Sequence, residues 1–404
     1  MANLQVYRPR ITFLFSDTGG GHRAASEAII EAIHCEYGDS VTTQMIDFLK
    51  DYAPLPFNLL PEAYPGMARN QDFWKTMFES SNGSSGVKFV TYTIWPMVRK
   101  AAYKLLNEVH SDLIVSVHPL ATAFGLKALG EQHLPFITVV TDLVTGHALW
   151  FNRRSDLTIV PTEMARQLAL NYSVPPEKLR VTGLPIMLTC DGSPDSRPAV
   201  RQRLGWPAGK FTALLVGGGE GMGPLMETAC AIDDSDLKVN MVIVAGRNAK
   251  LEAELKERHW KKPTRIYGFT HEMPAFMQAA DVIVTKAGPG TISEALVAGL
   301  PIVLYAKIRG QEDGNVDYVV EENVGVWAPE AQQVVKALRR WVTWPEELHK
   351  VAENCRRAAR PEAARQIARL LGPYIEAARE GKPIYINPGM TEAAAQRHVG
   401  HFYS

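Results

Sequence analysis

The stretch Thr285-Lys286-Ala287-Gly288-Pro289-Gly290-Thr291-Ile292-Ser293-Glu294-Ala295 decides how the second half of the chain is read. A largely apolar run at 281–284 precedes it and has the length of a buried strand. A helical pattern over 293–298 follows. Strand, small-residue turn and helix start together predict an anion site. The first amide N–H groups of a helix have no partner within it, and the helix dipole places partial positive charge there. Glycine lets a phosphate come close to the backbone. Further on lies Gly310-Gln311-Glu312-Asp313-Gly314-Asn315, a polar cluster suited to gripping hydroxyl groups. Phosphate and sugar together point to a nucleotide-sugar ligand.

Upstream, residues 212–216 read as a strand that leads into Gly217-Gly218-Gly219-Glu220-Gly221-Met222-Gly223. Further strands are predicted at 239–244, 265–267 and 301–305, and helices fill about 345–379. The first half follows the same plan. A strand at 10–15 runs into Gly19-Gly20-Gly21 and a helix over about 24–37. Strands follow at 41–46, 113–117, 136–140, 157–160 and 180–183, mostly with helical patterns between. Such alternation predicts α/β architecture with parallel, doubly wound sheets. Residues 191–198, rich in Asp, Gly, Ser and Pro, read as a linker. The expected division is an N-terminal domain over 1–186, a second domain over 187–380 and a weakly patterned tail over 381–404. Open α/β sheets bind ligands beyond the carboxyl ends of their strands. Two such Rossmann-like domains facing across a cleft would accommodate two substrates.

Composition narrows the function classes. With 404 residues there is length for two cores. The 43 basic and 43 acidic residues cancel, which argues against bulk nucleic-acid binding. Cys35, Cys190, Cys230 and Cys355 are far apart and form no paired zinc motif, which fits a reducing compartment. The N-terminus lacks the charge, apolar run and cleavage site of a signal peptide, and no run approaches the ~18 apolar residues of a membrane span. A soluble protein, or one held on a membrane surface, is expected.

The βα rhythm breaks over about 52–101. This insertion carries Phe73, Trp74, Phe78, Phe89, Tyr92 and Trp95, with prolines at 54, 56, 61, 65 and 96. From 69 to 104 six basic residues face two acidic ones. Aromatic rings mixed with cations suit an anionic membrane interface, with Trp74 and Trp95 as candidate anchors. A helical insertion whose aromatics pack on the domain is the alternative. Asn82-Gly83-Ser84-Ser85-Gly86 reads as a mobile loop.

Taken in order, several motifs resemble the monogalactosyldiacylglycerol synthase and diacylglycerol glucosyltransferase group of glycosyltransferase family 28. They are Ser16-Asp17-Thr18-Gly19-Gly20-Gly21-His22-Arg23, Val140-Thr141-Asp142-Leu143 with His147 and Trp150-Phe151, and Thr182-Gly183-Leu184-Pro185. In the second half they are residues 217–221, Tyr267-Gly268-Phe269, residues 285–295, and Gly310-Gln311-Glu312 with Asn315. The resemblance spans about 11–345. It implies a GT-B fold and inverting transfer of galactose or glucose from a UDP-sugar to diacylglycerol. It further implies peripheral attachment to the cytoplasmic side of a membrane and no metal or other cofactor at the diphosphate.

An inverting transfer needs a base on the acceptor hydroxyl and stabilisation of the departing diphosphate. Gly288, Gly290 and Thr291 open a helix, and Gly217, Gly218, Gly219 and Gly221 supply a second turn. Amides from both are expected at the diphosphate. A plain helix start, with Thr291 and Glu294 as a capping box, is the competing reading. The resemblance assigns Glu294 to the ribose hydroxyls, and the backbone at Phe269 to the uracil edge, although its ring could equally be core. It assigns Gln311 and Glu312 to the sugar; these two and Asn315 carry the donors and acceptors that distinguish hydroxyl orientation, unless the loop is merely solvated. His22, after Gly20 and Gly21 at the acceptor side, is the candidate base, because imidazole titrates near neutrality. Its alternative is a helix-start histidine bound to a nearby backbone group. Asp142 is expected to orient His22, to act as base itself, or to cap a turn. His147 lines the acceptor or is structural.

Two rivals remain open on these residues. The run from Gly19 to Ala24 also fits a dinucleotide G-x-G-x-x-A pattern, with Asp47 placed as a ribose-binding acid. That would make an NAD-dependent oxidoreductase, which leaves the second glycine-rich half unused. A non-catalytic lipid or nucleotide binder would have no need of His22.

Overall fold

The computed structural model describes residues 7–132, 134–187, 196–207 and 209–381. Residues 191–195 of the expected linker, and the tail from 382 onward, lie outside them. The chain forms two compact units, one of residues 1–188 with 362–404, the other of residues 189–361.

In the first unit the strands are β1 (Arg10–Phe15), β2 (Thr42–Asp47), β3 (Leu113–Ser116), β4 (Phe136–Val139), β5 (Leu157–Val160) and β6 (Leu179–Val181). All pair in parallel in the order β2-β1-β3-β4-β5-β6. Strands β3, β4 and β5 are buried at every position, as expected of parallel strands covered on both faces. The chain winds one way from β1 to β2 and the other way from β1 through β3. The carboxyl ends of β1 and β3 therefore flank a topological switch point, where such sheets hold ligands.

The second unit repeats the scheme with β7 (Phe211–Val216), β8 (Val239–Val244), β9 (Thr264–Tyr267), β10 (Val282–Lys286), β11 (Ile302–Ala306) and β12 (Gly325–Trp327). These strands, also parallel, lie in the order β12-β11-β10-β7-β8-β9. Here the switch point falls between β7 and β10. The glycine turn after β7 and the turn after β10 are thereby neighbours, although about seventy residues separate them. The doubly wound α/β fold is the one expected from the sequence.

The domain division differs in one respect. The helix Ala363–Arg379 was expected in the second domain (187–380), but it belongs to the first unit. Its Ile367, Leu371, Tyr374 and Ile375 share a core with Ile29 and Ile33 of the helix Gly21–Tyr37 and with β1. The crossing is close at Gly372, where a β-carbon would stand 2.6 Å from the Tyr37 hydroxyl oxygen.

The insertion is helical, over Leu60–Arg69, Gln71–Ser81 and Gly83–Glu108. The loop expected at 82–86 is instead the start of the last helix. Asn82 Oδ1 accepts from Gly83 N at 2.9 Å and from Ala148 N at 2.8 Å, capping the helix and tying it to the sheet domain. Gly86 is buried where a β-carbon would meet the Ser81 carbonyl at 2.5 Å. Its glycine marks a close backbone approach rather than mobility.

Candidate functional site

In the second unit, the turn after β10 delivers the chain into the helix Pro289–Val297, with Gly288 as its N-cap. Pro289 has no N–H to offer. The amides of Gly290 and Thr291 carry no hydrogen bond to another described residue. Ile292 N is the first to close a helical bond, to Gly288 O at 3.1 Å. Thr291 is thus inside the helix, and the Thr291–Glu294 capping box does not form.

The turn after β7 is folded on itself. Met222 N donates to Gly217 O at 2.7 Å and Gly221 N to Gly218 O at 3.1 Å. Gly221 (φ 57°) lies against the Ala245 carbonyl so closely that no side chain fits. The amides of Gly217 and Gly221 are turned inward, contrary to the expectation that the whole turn would face a ligand. Those of Gly218, Gly219 and Glu220 carry no bond to another described residue.

Lys286, the last residue of β10, lies between the two turns. A β-carbon on Gly218 would stand 3.0 Å from Lys286 Cε, and one on Gly288 would stand 3.1 Å from Lys286 Nζ. Sequence reasoning passed over this residue. A lysine closing a strand just ahead of a glycine turn was the signal that could have found it. Its ammonium meets Glu312 Oε1 at 2.6 Å, while Glu312 Oε2 accepts from Ile308 N at 2.8 Å. Glu312 is buried with both oxygens engaged. Asn315, also buried, donates to the Ala287 carbonyl at 2.8 Å. The expected sugar-facing trio is therefore corrected. Glu312 and Asn315 brace Lys286 and the glycine turn from beneath, and half-buried Gln311, beside left-handed Gly310, is the member with partial exposure.

Glu294 lies one turn inside the helix, half-buried, with no ion pair or side-chain hydrogen bond to a described residue. Desolvation pushes its carboxyl up to about 7. A desolvated acid without a protein partner is disposed to accept hydroxyl groups. Phe269 is 51% exposed, which excludes a core role for its ring. The Arg247 guanidinium covers that ring at 4.3 Å and pairs with Glu220 Oε1 at 3.0 Å. Arg247, unmarked in the sequence, thereby joins Phe269 to the glycine turn.

In the first unit, Gly19 and Gly20 adopt φ of 89° and 80°, and Gly21 opens the helix that carries His22. Asp17 binds Arg23 Nε at 2.9 and 3.0 Å and so spans the turn. Asp17 N donates to Asp47 Oδ2 at 3.1 Å, and Asp47 Oδ1 accepts from Lys50 N at 3.1 Å. Asp47 is committed to the backbone, which removes the ribose-binding acid of the dinucleotide reading.

His22 Nδ1 lies 2.9 Å from Thr141 Oγ1, and its ring centroid is 4.6 Å from that of His118. Desolvation is the main cause holding the imidazole down to about 4, opposed by the Val117 carbonyl and Asp17. His22 is thus neutral at ordinary pH, the state a general base requires. The expected orienting role of Asp142 is corrected: its Oδ2 accepts from Trp150 Nε1 at 2.7 Å, and Thr141, its neighbour, holds His22. His118 Nδ1 accepts from Leu120 N at 3.2 Å, so its Nε2 carries the proton and donates to Thr18 Oγ1 at 3.2 Å.

His147 is structural. Its Nδ1 accepts from Leu149 N at 3.1 Å, its Nε2 faces Ser81 Oγ at 3.1 Å, and Phe78 meets the ring edge-on at 5.2 Å. It fastens the insertion to the domain. The two tryptophans expected at a membrane point inward: Trp74 is buried against Tyr64, and Trp95 is half-buried, stacked on Phe124. The exposed large apolar side chains of the insertion and the end of its last helix are Leu55, Leu59, Phe73, Phe89, Tyr92, Met97 and Tyr103. Lys88, Arg99, Lys100 and Lys104 are exposed on the same helix as the last four. Among the described residues no helix is long and apolar enough to cross a membrane, and no group of three metal-ligating side chains forms.

Residues 22–186 match the family model for monogalactosyldiacylglycerol (MGDG) synthase, and residues 212–367 that for the glycosyltransferase family 28 C-terminal domain. Monogalactosyldiacylglycerol synthase 2 of Arabidopsis thaliana is 36% identical over 371 residues, covering 89% of this chain and 79% of that protein. The synthase of Spinacia oleracea is 35% identical over 372 residues, with 89% and 71% covered. Among solved structures, MurG of Acinetobacter baumannii aligns with a TM-score of 0.59 at 14% identity over 90% of this chain and 99% of that one. Anabaena Alr3699/HepE in complex with UDP and glucose aligns with a TM-score of 0.52 at 17% identity over 97% and 100%. These two likenesses concern the fold, which is the two-domain GT-B architecture. The chain belongs to the monogalactosyldiacylglycerol synthase family of glycosyltransferases.

Proposed function

We propose that the chain transfers galactose from UDP-galactose to the free hydroxyl of diacylglycerol with inversion at the anomeric carbon, working as a peripheral protein on an anionic membrane surface. The relatives' names favour galactose over glucose. The second unit takes the donor. The diphosphate lies against the unbonded amides of Gly290 and Thr291, with Lys286 supplying the cation that a metal would otherwise provide. Glu294 accepts the ribose hydroxyls, and the backbone at Phe269 meets the uracil edge, with Arg247 over the ring. Gln311 meets the hexose.

The first unit takes the acceptor. His22 removes the proton of the glycerol hydroxyl as its oxygen forms the new bond to the sugar's anomeric carbon. The bond from that carbon to the β-phosphate oxygen breaks, and UDP leaves with the electron pair. Thr141 fixes the His22 ring during the transfer. The observation that carries this reading is Lys286 lying between two glycine turns at the switch point of the second sheet. The experiment is to incubate the protein with diacylglycerol vesicles and radiolabelled UDP-galactose or UDP-glucose, then separate the lipids by chromatography.

A further inference from the structure

His118 follows β3 and is the N-cap of the helix Pro119–Leu129. Capping uses only its Nδ1, which accepts from Leu120 N at 3.2 Å. Serine, threonine, aspartate or asparagine would cap as well or better. The rest of the imidazole is committed elsewhere. Its Nε2–H donates to Thr18 Oγ1 at 3.2 Å, 100 residues away in the chain. The ring packs on His22 with centroids 4.6 Å apart and meets Phe48 edge-on at 5.3 Å. The backbone is fixed as well, since His118 O accepts from Ser116 Oγ at 3.1 Å and from Thr122 N at 3.0 Å. His118 is buried, and burial, followed by the nearby His22, holds its imidazole well below the ordinary value. The ring is therefore neutral, and its one proton stays on Nε2.

This fixes the Thr18 hydroxyl in turn. Its oxygen accepts from His118, so its own proton must go to another acceptor. Among the described residues none lies within hydrogen-bond distance. Thr18 is half-buried, in the turn that leads through Gly19 and Gly20 to His22. Thr18 and His22 both touch His118, so one buried ring holds an oriented donor and the candidate base. An alcohol suits that pair. It has one proton to give to His22 and two lone pairs, one of which can accept from Thr18.

We propose that His118 is a positioning residue of the transfer, which aims the Thr18 proton at the oxygen of the acceptor's free hydroxyl; the inference rests on the transferase reading above. The acceptor's proton passes to His22. One lone pair takes the Thr18 hydrogen bond, and the other forms the bond to the anomeric carbon as UDP leaves with the electron pair. The contribution is orientation, because a single lone pair is left free to react.

The test compares two substitutions at His118 in the full chain. Asparagine keeps an acceptor for Leu120 N and has no donor that reaches Thr18. Glutamine places an amide N–H near the Nε2 position and gives up the cap. His118→Asn is expected to keep its melting temperature and to lower kcat/KM for dioleoylglycerol by about tenfold. His118→Gln is expected to melt lower yet to recover most of that rate. UDP binding, measured by calorimetry, should be unchanged in both. A merely structural cap predicts the reverse order, with the asparagine variant active and the glutamine variant impaired, and that result would overturn the proposal. Thr18 tests the same contact from its other end. Thr18→Val is expected to lose about tenfold and Thr18→Ser to restore it, and adding His118→Asn to Thr18→Val should cost little more. Full activity in Thr18→Val, or losses that multiply in the double variant, would also overturn it. Wild-type protein that forms no glycolipid from any acceptor defeats the transferase reading instead.

Discussion

Thr141 Oγ1 stands 2.9 Å from His22 Nδ1, although 119 residues separate them, and the adjacent carboxylate of Asp142 is turned to the indole of Trp150. A hydroxyl, not a carboxylate, therefore orients the candidate base. His22→Ala should lower turnover by about 10²-fold or more, and Thr141→Val by about tenfold, with UDP affinity unchanged in both. Steady-state kinetics with calorimetry of UDP binding checks this; loss of UDP binding in either variant would refute the assignment. Because desolvation holds His22 down to about 4, kcat/KM for the acceptor should stay level from pH 8 to about pH 5. An acid limb centred near 6.5 would show an ordinary, solvated imidazole.

Glu294 gives a stability test with a definite sign. Its folded-state value of about 7 is above the 4.5 of a free carboxyl, so the fold favours the neutral acid. Without ligand, the wild type loses stability as pH rises from about 4.5 to 7, and Glu294→Gln escapes that loss. The variant should be more stable by about 1–3 kcal/mol at pH 8, trimmed by the residue's partial exposure, with no difference near pH 4. The same variant should bind UDP-galactose more weakly. Denaturant titrations at the two pH values measure the first effect.

Lys286→Met separates phosphate recognition from nucleoside recognition. It should weaken UDP about tenfold or more and leave uridine binding nearly unchanged. It also strands Glu312, whose other partner is the Ile308 amide, so a stability loss of about 3 kcal/mol is expected. Calorimetry with the two ligands decides; parallel weakening of both would place the lysine elsewhere in the chemistry.

Phe89 and Tyr92 are 67% and 82% exposed beside Lys88. The double variant Phe89→Ser/Tyr92→Ser should sediment less with anionic vesicles while keeping its melting temperature. Equal sedimentation would remove this helix face from the membrane contact. Trp74 and Trp95 are not the residues to change, since both pack inward.

The strands were legible because parallel strands covered on both faces read as short continuous apolar runs, as in β3 and β8. The three-residue β12 carries too little pattern to be read. The helix Ala363–Arg379 shows an apolar stripe, but nothing local says that its partner is the helix Gly21–Tyr37. Glycine and serine at 83–86 have loop composition, and only the approach of Gly86 to Ser81 explains them in a helix. In the site, residue types were readable and their directions were not. Glu312 and Asn315 look solvent-facing in a polar run, yet both are buried against Lys286 and the glycine turn.

The most direct measurement is lipid chromatography and anomeric analysis after incubation with dioleoylglycerol vesicles and labelled UDP-galactose. A β-linked galactosyldiacylglycerol, lost in His22→Ala, is the expected product. Protein that binds UDP but leaves the lipid unglycosylated with both UDP-hexoses, or an α-linked product, would contradict inverting transfer to diacylglycerol.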